Sequence, residues 1–121
     1  MVFKKCLKCG AFVKVIKDCT CDNCGIRCCG EEMKELKANS VDAAFEKHVP
    51  VYEVKDNNLI VTVNHVMEED HYIEWIIVET KNGHVCKKFK PGDVPTVTVP
   101  YEEATLYAYC NKHGLWKSEV K

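Results

Sequence analysis

Cysteine is concentrated at the N-terminus of this chain, and this limits what that part can fold into. Seven of the nine cysteines lie within the first 29 residues of a 121-residue sequence: Cys6, Cys9, Cys19, Cys21, Cys24, Cys28 and Cys29. So short a segment cannot bury enough apolar surface to fold by itself. A disulfide framework is disfavoured because the cysteine count is odd and because the N-terminus lacks the apolar stretch of a secretion signal. We therefore expect these cysteines to bind metal.

Composition and charge exclude several classes of partner. The hydrophobic and charged fractions are 46% and 29%, as in ordinary soluble proteins. Lys and Arg total 17 against 18 Asp and Glu, so no charge excess favours binding to nucleic acid or a membrane surface. No apolar run approaches the length of a membrane span. We expect a soluble cytoplasmic protein with neither nucleic acid nor membrane as a partner.

The pattern of residues changes near position 40 and predicts two domains. Residues 1–38 form the Cys-rich domain, and residues 39–121 read as β-structure. Seven short segments rich in β-branched and aromatic residues are separated by turn residues: 49–54, 59–63, 72–79, 85–89, 96–99, 105–110 and 115–120. This spacing predicts a mainly β fold, with a seven-stranded antiparallel immunoglobulin-like sandwich following the small metal-binding domain.

Two histidines flank the first predicted hairpin. If Asp56–Asn57 forms a two-residue turn, Lys55 pairs with Asn58. The same register places His48 opposite His65, so two imidazoles meet at one end of the sandwich.

Three more candidate ligands can reach the same end. Cys110 alternates in phase with Leu106 and Ala108, so its thiol should point into the sandwich. The tight turn after it can bring His113 close, and the loop after His65 can return His71. We therefore predict one metal site built from five residues: His48, His65, His71, Cys110 and His113. No other candidate ligands are predicted near His84, in a turn, or Cys86, in a strand. We therefore predict that neither residue binds the metal.

The ligand set indicates which metal such a site would hold. Structural zinc prefers four ligands in a closed tetrahedron, and five candidates exceed that number. A blue-copper site uses two His, one Cys and an axial Met, but Gly114, Leu115 and Trp116 follow His113. Four imidazoles in a plane with one thiolate below make a square pyramid, a geometry that suits iron and leaves one position for a small oxygen species.

Three stretches carry a resemblance to a known family: Phe45–Val51, His65–Trp75 and Tyr109–Lys117. They resemble the signature stretches of superoxide reductases of the desulfoferrodoxin and neelaredoxin family, and Phe89–Asp93 is also similar. The resemblance implies one-electron reduction of superoxide to hydrogen peroxide, with electrons from an external donor such as a rubredoxin-like protein. We also expect a homo-oligomer.

The same resemblance assigns roles to individual residues. It implies iron ligation by the four histidines and axial ligation by Cys110. Glu46 would be the carboxylate that occupies the sixth position of the resting ferric site, and Lys47 the cation that attracts the incoming anion. Val66 departs from the family, which often has Pro there.

The Cys-rich domain resembles the desulforedoxin-like domain of desulfoferrodoxins. That resemblance implies a single iron bound by four thiolates from Cys6, Cys9, Cys28 and Cys29. The additional cysteines Cys19, Cys21 and Cys24 depart from the pattern. Since the spacing from Cys21 to Cys28 is close to that of iron–sulfur proteins, a [4Fe-4S] cluster as in methanoferrodoxin-like superoxide reductases is the alternative. A zinc ribbon is the third possibility.

Two other functions remain open from the sequence. The first is an iron protein that only transfers electrons, which would require iron closed by six protein ligands. The second is a binding module stapled by metal, but the basic residues of the Cys-rich domain are not interleaved with aromatic ones.

Overall fold

The computed structural model describes residues 1–21 and 25–121 and divides the chain into two compact units, Met1–Lys37 and Ala38–Lys121. The described residues form antiparallel strands and one short 3-10 turn, Phe45–Lys47. Among them, no helix is long and apolar enough to cross a membrane. The predicted mainly β, antiparallel fold class is confirmed.

The N-terminal unit is built from five very short strands: β1 (Val2–Lys5), β2 (Phe12–Val15), β3 (Arg27–Cys28), β4 (Glu31–Glu32) and β5 (Lys34–Glu35). The strand β1 lies between β2 and β5, and β3 pairs with β4 in a separate hairpin. Its apolar interior is small, with Phe3 and Met33 buried beside Cys6. These strands were not predicted, because ladders of two to four residue pairs do not need strand-length apolar runs.

The second unit is a sandwich of two antiparallel sheets. Its strands are β6 (Val51–Lys55), β7 (Asn58–Thr62), β8 (Ile73–Thr80), β9 (Gly83–Lys88), β10 (Thr96–Pro100), β11 (Ala104–Cys110) and β12 (Gly114–Val120). One sheet has the order β10-β7-β6 and the other the order β12-β11-β8-β9. This is an immunoglobulin-like arrangement, and each strand lies within two residues of its predicted bounds.

The core between the sheets comes from alternate residues on each strand. In β11, Leu106, Ala108 and Cys110 point inward and are fully buried, as their alternation predicts. They meet Leu59 and Val61 of β7, which are also fully buried. Since burial of apolar surface contributes about 25 cal/mol per Å², this layer stabilises the sandwich.

The hairpin between β6 and β7 has the predicted register. Lys55 pairs with Asn58 across a turn in which Asp56 and Asn57 both have positive φ, 52° and 64°. Such a turn suits Asp and Asn, which tolerate the left-handed region better than other non-glycine residues. The register brings the segments before β6 and after β7 to the same end of the sandwich.

Candidate metal centres

Five potential ligands converge at one end of the sandwich. His48 follows the 3-10 turn and precedes β6, His65 follows β7, and His71 precedes β8. Cys110 is the last residue of β11, and His113 lies in the tight turn to β12. One donor atom from each of the five lies within 4.8 Å of the others. The group predicted from the sequence is thus brought together by strand ends and short connections.

The four imidazoles form a closed ring. Adjacent ring centroids are separated by 4.8 Å for His48 and His65, 4.6 Å for His65 and His71, 5.0 Å for His71 and His113, and 4.8 Å for His113 and His48. Each neighbouring pair is steeply inclined, at 68° to 89°. Four nearly equal sides describe a square in which His48 lies across from His71.

The donor atoms have the spacing that a common ion requires. His48 Nε2 and His113 Nδ1 are 3.0 Å apart. Adjacent corners of a square with metal–nitrogen distances of about 2.1 Å are about 3.0 Å apart. Cys110 Sγ lies 3.4 Å from His65 Nε2 and 3.8 Å from His113 Nδ1. The sulfur therefore lies close to two of the ring nitrogens, so that it could bind the same ion as they do.

Hydrogen bonds set the tautomers of two imidazoles. His48 Nδ1 donates to the carbonyl of Ala44 at 2.7 Å, and His65 Nδ1 donates to the carbonyl of Val66. Because a carbonyl only accepts, Nδ1 carries the proton and the lone pair is on Nε2, the atom facing the ring's centre. Both imidazoles are thus held in the form that binds metal.

Trp116 contacts two of the candidate ligands. Its ring stacks on His48, with centroids 4.9 Å apart and planes 24° apart, and it is 1% exposed. Its indole N–H donates to the carbonyl of His113 at 3.1 Å. The sequence reasoning gave Trp116 no such role, since only its place in the chain after His113 was visible.

The thiol of Cys110 is fully buried. Burial raises its pKa, while the backbone N–H groups of Lys112 and His113 act in the opposite direction. The His113 N–H donates to Cys110 Sγ at 3.4 Å. A thiolate there therefore needs a nearby cation to be stable, and the N–H groups are placed to stabilise it further.

A buried imidazole nitrogen without a hydrogen-bond partner indicates that the five-residue group fits a metal ion. His71 Nε2 is buried and has no hydrogen-bond partner in the described part of the chain. Such atoms are rare because an unpaired buried polar atom costs about 1–3 kcal/mol. Burial also lowers the pKa of His65 and of His113, with smaller contributions from neighbouring imidazoles. Neutral imidazoles with converging lone pairs are what a metal ion requires.

The two residues assigned to substrate handling lie beside this ring. Glu46 and Lys47 belong to the exposed 3-10 turn that ends at His48. In the described residues Glu46 is not among the converging ligand atoms. His84 and Cys86 are both exposed on β9, away from either ligand group.

A second group of four sulfurs lies in the N-terminal unit. It consists of Cys6, Cys9, Cys28 and Cys29. The adjacent pair can share one site because Cys29 and Gly30 form the two-residue turn between β3 and β4, with φ of 54° and 77°. This is the sharp bend that adjacent cysteines need if both are to reach one ion.

The spacing of these sulfurs suits a single ion. Cys9 Sγ is 3.6 Å from Cys28 Sγ, which is 3.9 Å from Cys29 Sγ. The edge of a tetrahedron with metal–sulfur distances of about 2.3 Å is about 3.8 Å. Ligands of a cluster stand farther apart, because several irons and sulfides separate them. Cys19 and Cys21 are not members of the group, and Cys24 lies outside the described residues.

Ionisation of neighbouring thiols in this group is coupled. Backbone N–H groups of Cys9 and Lys8 lower the pKa of Cys6 to about 7. Hydrogen bonding with Cys9 and Cys6 raises the pKa of Cys28 to about 12, and the pKa of Cys29 is also raised, chiefly by Cys9. Opposite shifts in adjacent thiols mean that further negative charge is disfavoured unless a metal neutralises it.

Comparisons with known proteins find relatives that cover nearly the whole chain. The family model for desulfoferrodoxin matches residues 40–119. The desulfoferrodoxin of Nitratidesulfovibrio vulgaris is 44% identical, with 96% of this chain and 94% of the relative covered. A desulfoferrodoxin homolog of Archaeoglobus fulgidus is 42% identical, covering 94% and 93%. The solved superoxide reductase of Treponema pallidum is 28% identical and superposes with a TM-score of 0.73, over 96% of this chain and 98% of that one.

Proposed function

Because the chain belongs to the desulfoferrodoxin family, we propose that it reduces superoxide to hydrogen peroxide at the ring of four imidazoles and Cys110. The observation that carries this proposal is the closed square of imidazoles with a buried sulfur beside it. The two ligand groups are consistent with the iron centres of desulfoferrodoxins. Solved structures of similar fold, including those from Treponema pallidum and Giardia intestinalis, are of superoxide reductases.

The protein's own groups prepare this site for one-electron chemistry. Iron bound there would supply the electron, since it alternates between the ferrous and ferric states. The Cys110 thiolate would place a negative charge in a buried position beside the iron. The hydrogen bond from the His113 N–H to Cys110 Sγ would reduce the electron density that the sulfur donates to the iron. The fixed tautomers of His48 and His65 keep neutral nitrogens on the square. We assign all five residues as ligands.

Lys47 and Glu46 are assigned to the approach and exit of small anions. Lys47 precedes His48 directly and is exposed, so its positive charge can raise the encounter rate with superoxide. Glu46 lies on the same turn, whose exposed position allows its carboxylate to move toward the ring when the site is oxidised.

The electron balance of the reaction gives a direct test. Superoxide takes up one electron and two protons to become one hydrogen peroxide, and no dioxygen is released. We would mix pre-reduced, iron-loaded protein with limiting superoxide and measure peroxide, dioxygen and oxidation of the iron. We expect one peroxide and one oxidised centre per superoxide.

The controls separate this reaction from the alternatives. A dismutase would release dioxygen and yield one peroxide for every two superoxide ions. His84→Ala should behave as the parent, because His84 is exposed on β9 and outside the ligand group. Protein that is not oxidised by superoxide, yet exchanges electrons with a redox partner, would establish the electron-transfer alternative instead.

We assign the N-terminal sulfurs Cys6, Cys9, Cys28 and Cys29 to one tetrahedral iron, supported by their spacing. The two compact units then correspond to two metal-binding domains. Reduced thiolates in both sites favour a cytoplasmic location. An external protein must return the electron, and a rubredoxin-like donor is the candidate.

An exposed apolar edge supports a homo-oligomer. Tyr52 and Val54 of β6 pair with Val61 and Leu59, whose side chains are in the core. Tyr52 is nevertheless 40% exposed and Val54 50% exposed. Edge strands with uncovered apolar residues commonly pair with another chain, and a second copy is the partner that we propose.

A further inference from the structure

We propose that Asn111 is a positioning residue that fixes the ligand His71 relative to the ligand Cys110. Asn111 follows Cys110 directly in the chain, at the end of β11. It is not a candidate ligand itself, since an asparagine amide is a poor donor for a site of imidazoles and a thiolate. Its role is to join the two chain segments that carry these ligands.

Three hydrogen bonds connect Asn111 to the residues on both sides of His71. Its side-chain Nδ2 donates to the carbonyl of Asp70 at 2.9 Å. Its side-chain Oδ1 accepts from the backbone N–H of Tyr72 at 2.9 Å. Its own backbone N–H donates to the carbonyl of Tyr72 at 3.2 Å. The side chain thus forms hydrogen bonds with the peptide units before and after His71.

Local contacts of His71 do not fix its place relative to Cys110. Its backbone N–H and carbonyl bond to Glu68, at 3.2 Å and 2.9 Å, which shapes the turn but ties it to no other strand. Its ring nitrogen Nε2 has no hydrogen-bond partner in the described residues. The position of the imidazole therefore depends on how the segment around it is held.

The strand pairing is irregular at this point. Tyr109 pairs with Trp75, but Cys110 pairs with Ile73, so Glu74 is an extra residue in β8. Regular ladder bonds end here, as is usual at a bulge. Asn111 supplies the bonds beyond the bulge that align the start of β8 with the end of β11.

An ion pair also joins the same segments, and it is weak. Lys112 Nζ and Asp70 Oδ2 are 3.6 Å apart, but these side chains are 50% and 79% exposed. Exposed ion pairs contribute little, because water and salt screen them. The two hydrogen bonds of the Asn111 amide therefore hold these segments together more firmly than the ion pair does.

The inference rests on the proposed function only in requiring that the five-ligand group binds iron. We would load the parent, Asn111→Asp and Asn111→Leu with ferrous iron and measure its release to an excess of chelator. The electron paramagnetic resonance spectrum of the oxidised site would report its symmetry. Neither measurement uses superoxide. A failure of this proposal can therefore be distinguished from a failure of the proposed reductase activity.

Asn111→Asp keeps the acceptor for Tyr72 and loses the donor to Asp70, whereas Asn111→Leu has a similar size and loses both. We expect iron release to be roughly 10–100-fold faster in Asn111→Leu, the usual effect of removing an outer partner of a ligand. Asn111→Asp should be intermediate, and both should show a changed resonance spectrum.

The matched control is Asn82→Leu. Asn82 also uses its side-chain amide in a hydrogen bond, to Glu102 at 3.1 Å, but lies in the turn between β8 and β9, at the other end of β8. It should release iron at the parent's rate. Asn111→Asp decides the matter if Asn111→Leu does not fold. Iron release within about twofold of the parent and an unaltered spectrum in Asn111→Asp would overturn the proposal.

Discussion

Replacing Trp116 by phenylalanine should weaken both the sandwich and its metal site. Trp116 is 1% exposed, stacks on His48 and donates its indole N–H to the carbonyl of His113. Phenylalanine keeps an aromatic ring over His48 but has no N–H to donate. It is also smaller, so part of the space between Phe45 and His48 is left unfilled.

The size of the effect follows from these two losses. Leaving the part-buried carbonyl of His113 without its donor costs about 1–3 kcal/mol. The cavity adds about 24 cal/mol for each Å³ that the surroundings cannot close, which for the lost part of an indole is on the order of 1 kcal/mol. We therefore expect the free energy of unfolding to fall by about 2–4 kcal/mol.

Urea unfolding followed by circular dichroism measures the change in the free energy of unfolding. The rate of metal release to a chelator measures the effect on the metal site. Trp75→Phe is the control, because Trp75 is likewise a buried tryptophan of the sandwich, and it stacks on Tyr109 with centroids 5.7 Å apart. We expect Trp116→Phe to release metal faster and Trp75→Phe to release it at the parent's rate. A loss below about 0.5 kcal/mol for Trp116→Phe would refute the reasoning, since it would mean that the indole N–H contributes nothing.

Three further outcomes test the assignments. Cys110→Ser should keep the fold but lose the sulfur-to-iron charge-transfer absorption of the oxidised site and most turnover; a variant that retains that band would exclude Cys110 as the ligand. Lys47→Ala should slow the bimolecular reaction with superoxide and weaken its dependence on salt, since the attraction is screened over ~10 Å at about 0.1 M salt; Lys81→Ala, in the exposed turn after β8, should change neither. Cys21→Ser should leave the spectrum of the N-terminal centre intact, whereas acid-labile sulfide or loss of that centre would indicate a cluster.

The strands and the ligand group could be predicted from the sequence because they depend on short-range patterns of residue types. The alternation of Leu106, Ala108 and Cys110 predicted an inward thiol, and the thiol is fully buried. The turn at Asp56–Asn57 set the register, and His48 and His65 meet as that register requires. In each case side-chain direction follows from strand period and turn length alone.

The residues that hold the ligands were not accessible in the same way. The bond from His48 to the carbonyl of Ala44 depends on a 3-10 turn too short to leave a periodic pattern. Asn111 reaches Asp70 across 41 positions of sequence, and only the folded sheets reveal that approach. Such contacts depend on side-chain conformations and on a bulge, and neither has a signature in the order of residue types.

The positions of the five ligands also have a mechanical consequence. His48 and His65 continue strands of the three-stranded sheet, whereas His71, Cys110 and His113 belong to the ends of the four-stranded sheet. An ion bound by all five would cross-link the two layers at that end, in addition to contacts such as the hydrogen bond from Ser118 Oγ to the carbonyl of Pro50 at 2.6 Å. Its ligands run from residue 48 to residue 113, and only folding brings them together, so that the ion would bind the folded state in preference to the unfolded one. The resistance of the fold to denaturation should therefore rise with the free iron concentration, through RT ln(1 + [L]/Kd), so that iron supply controls the lifetime of the protein as well as its chemistry.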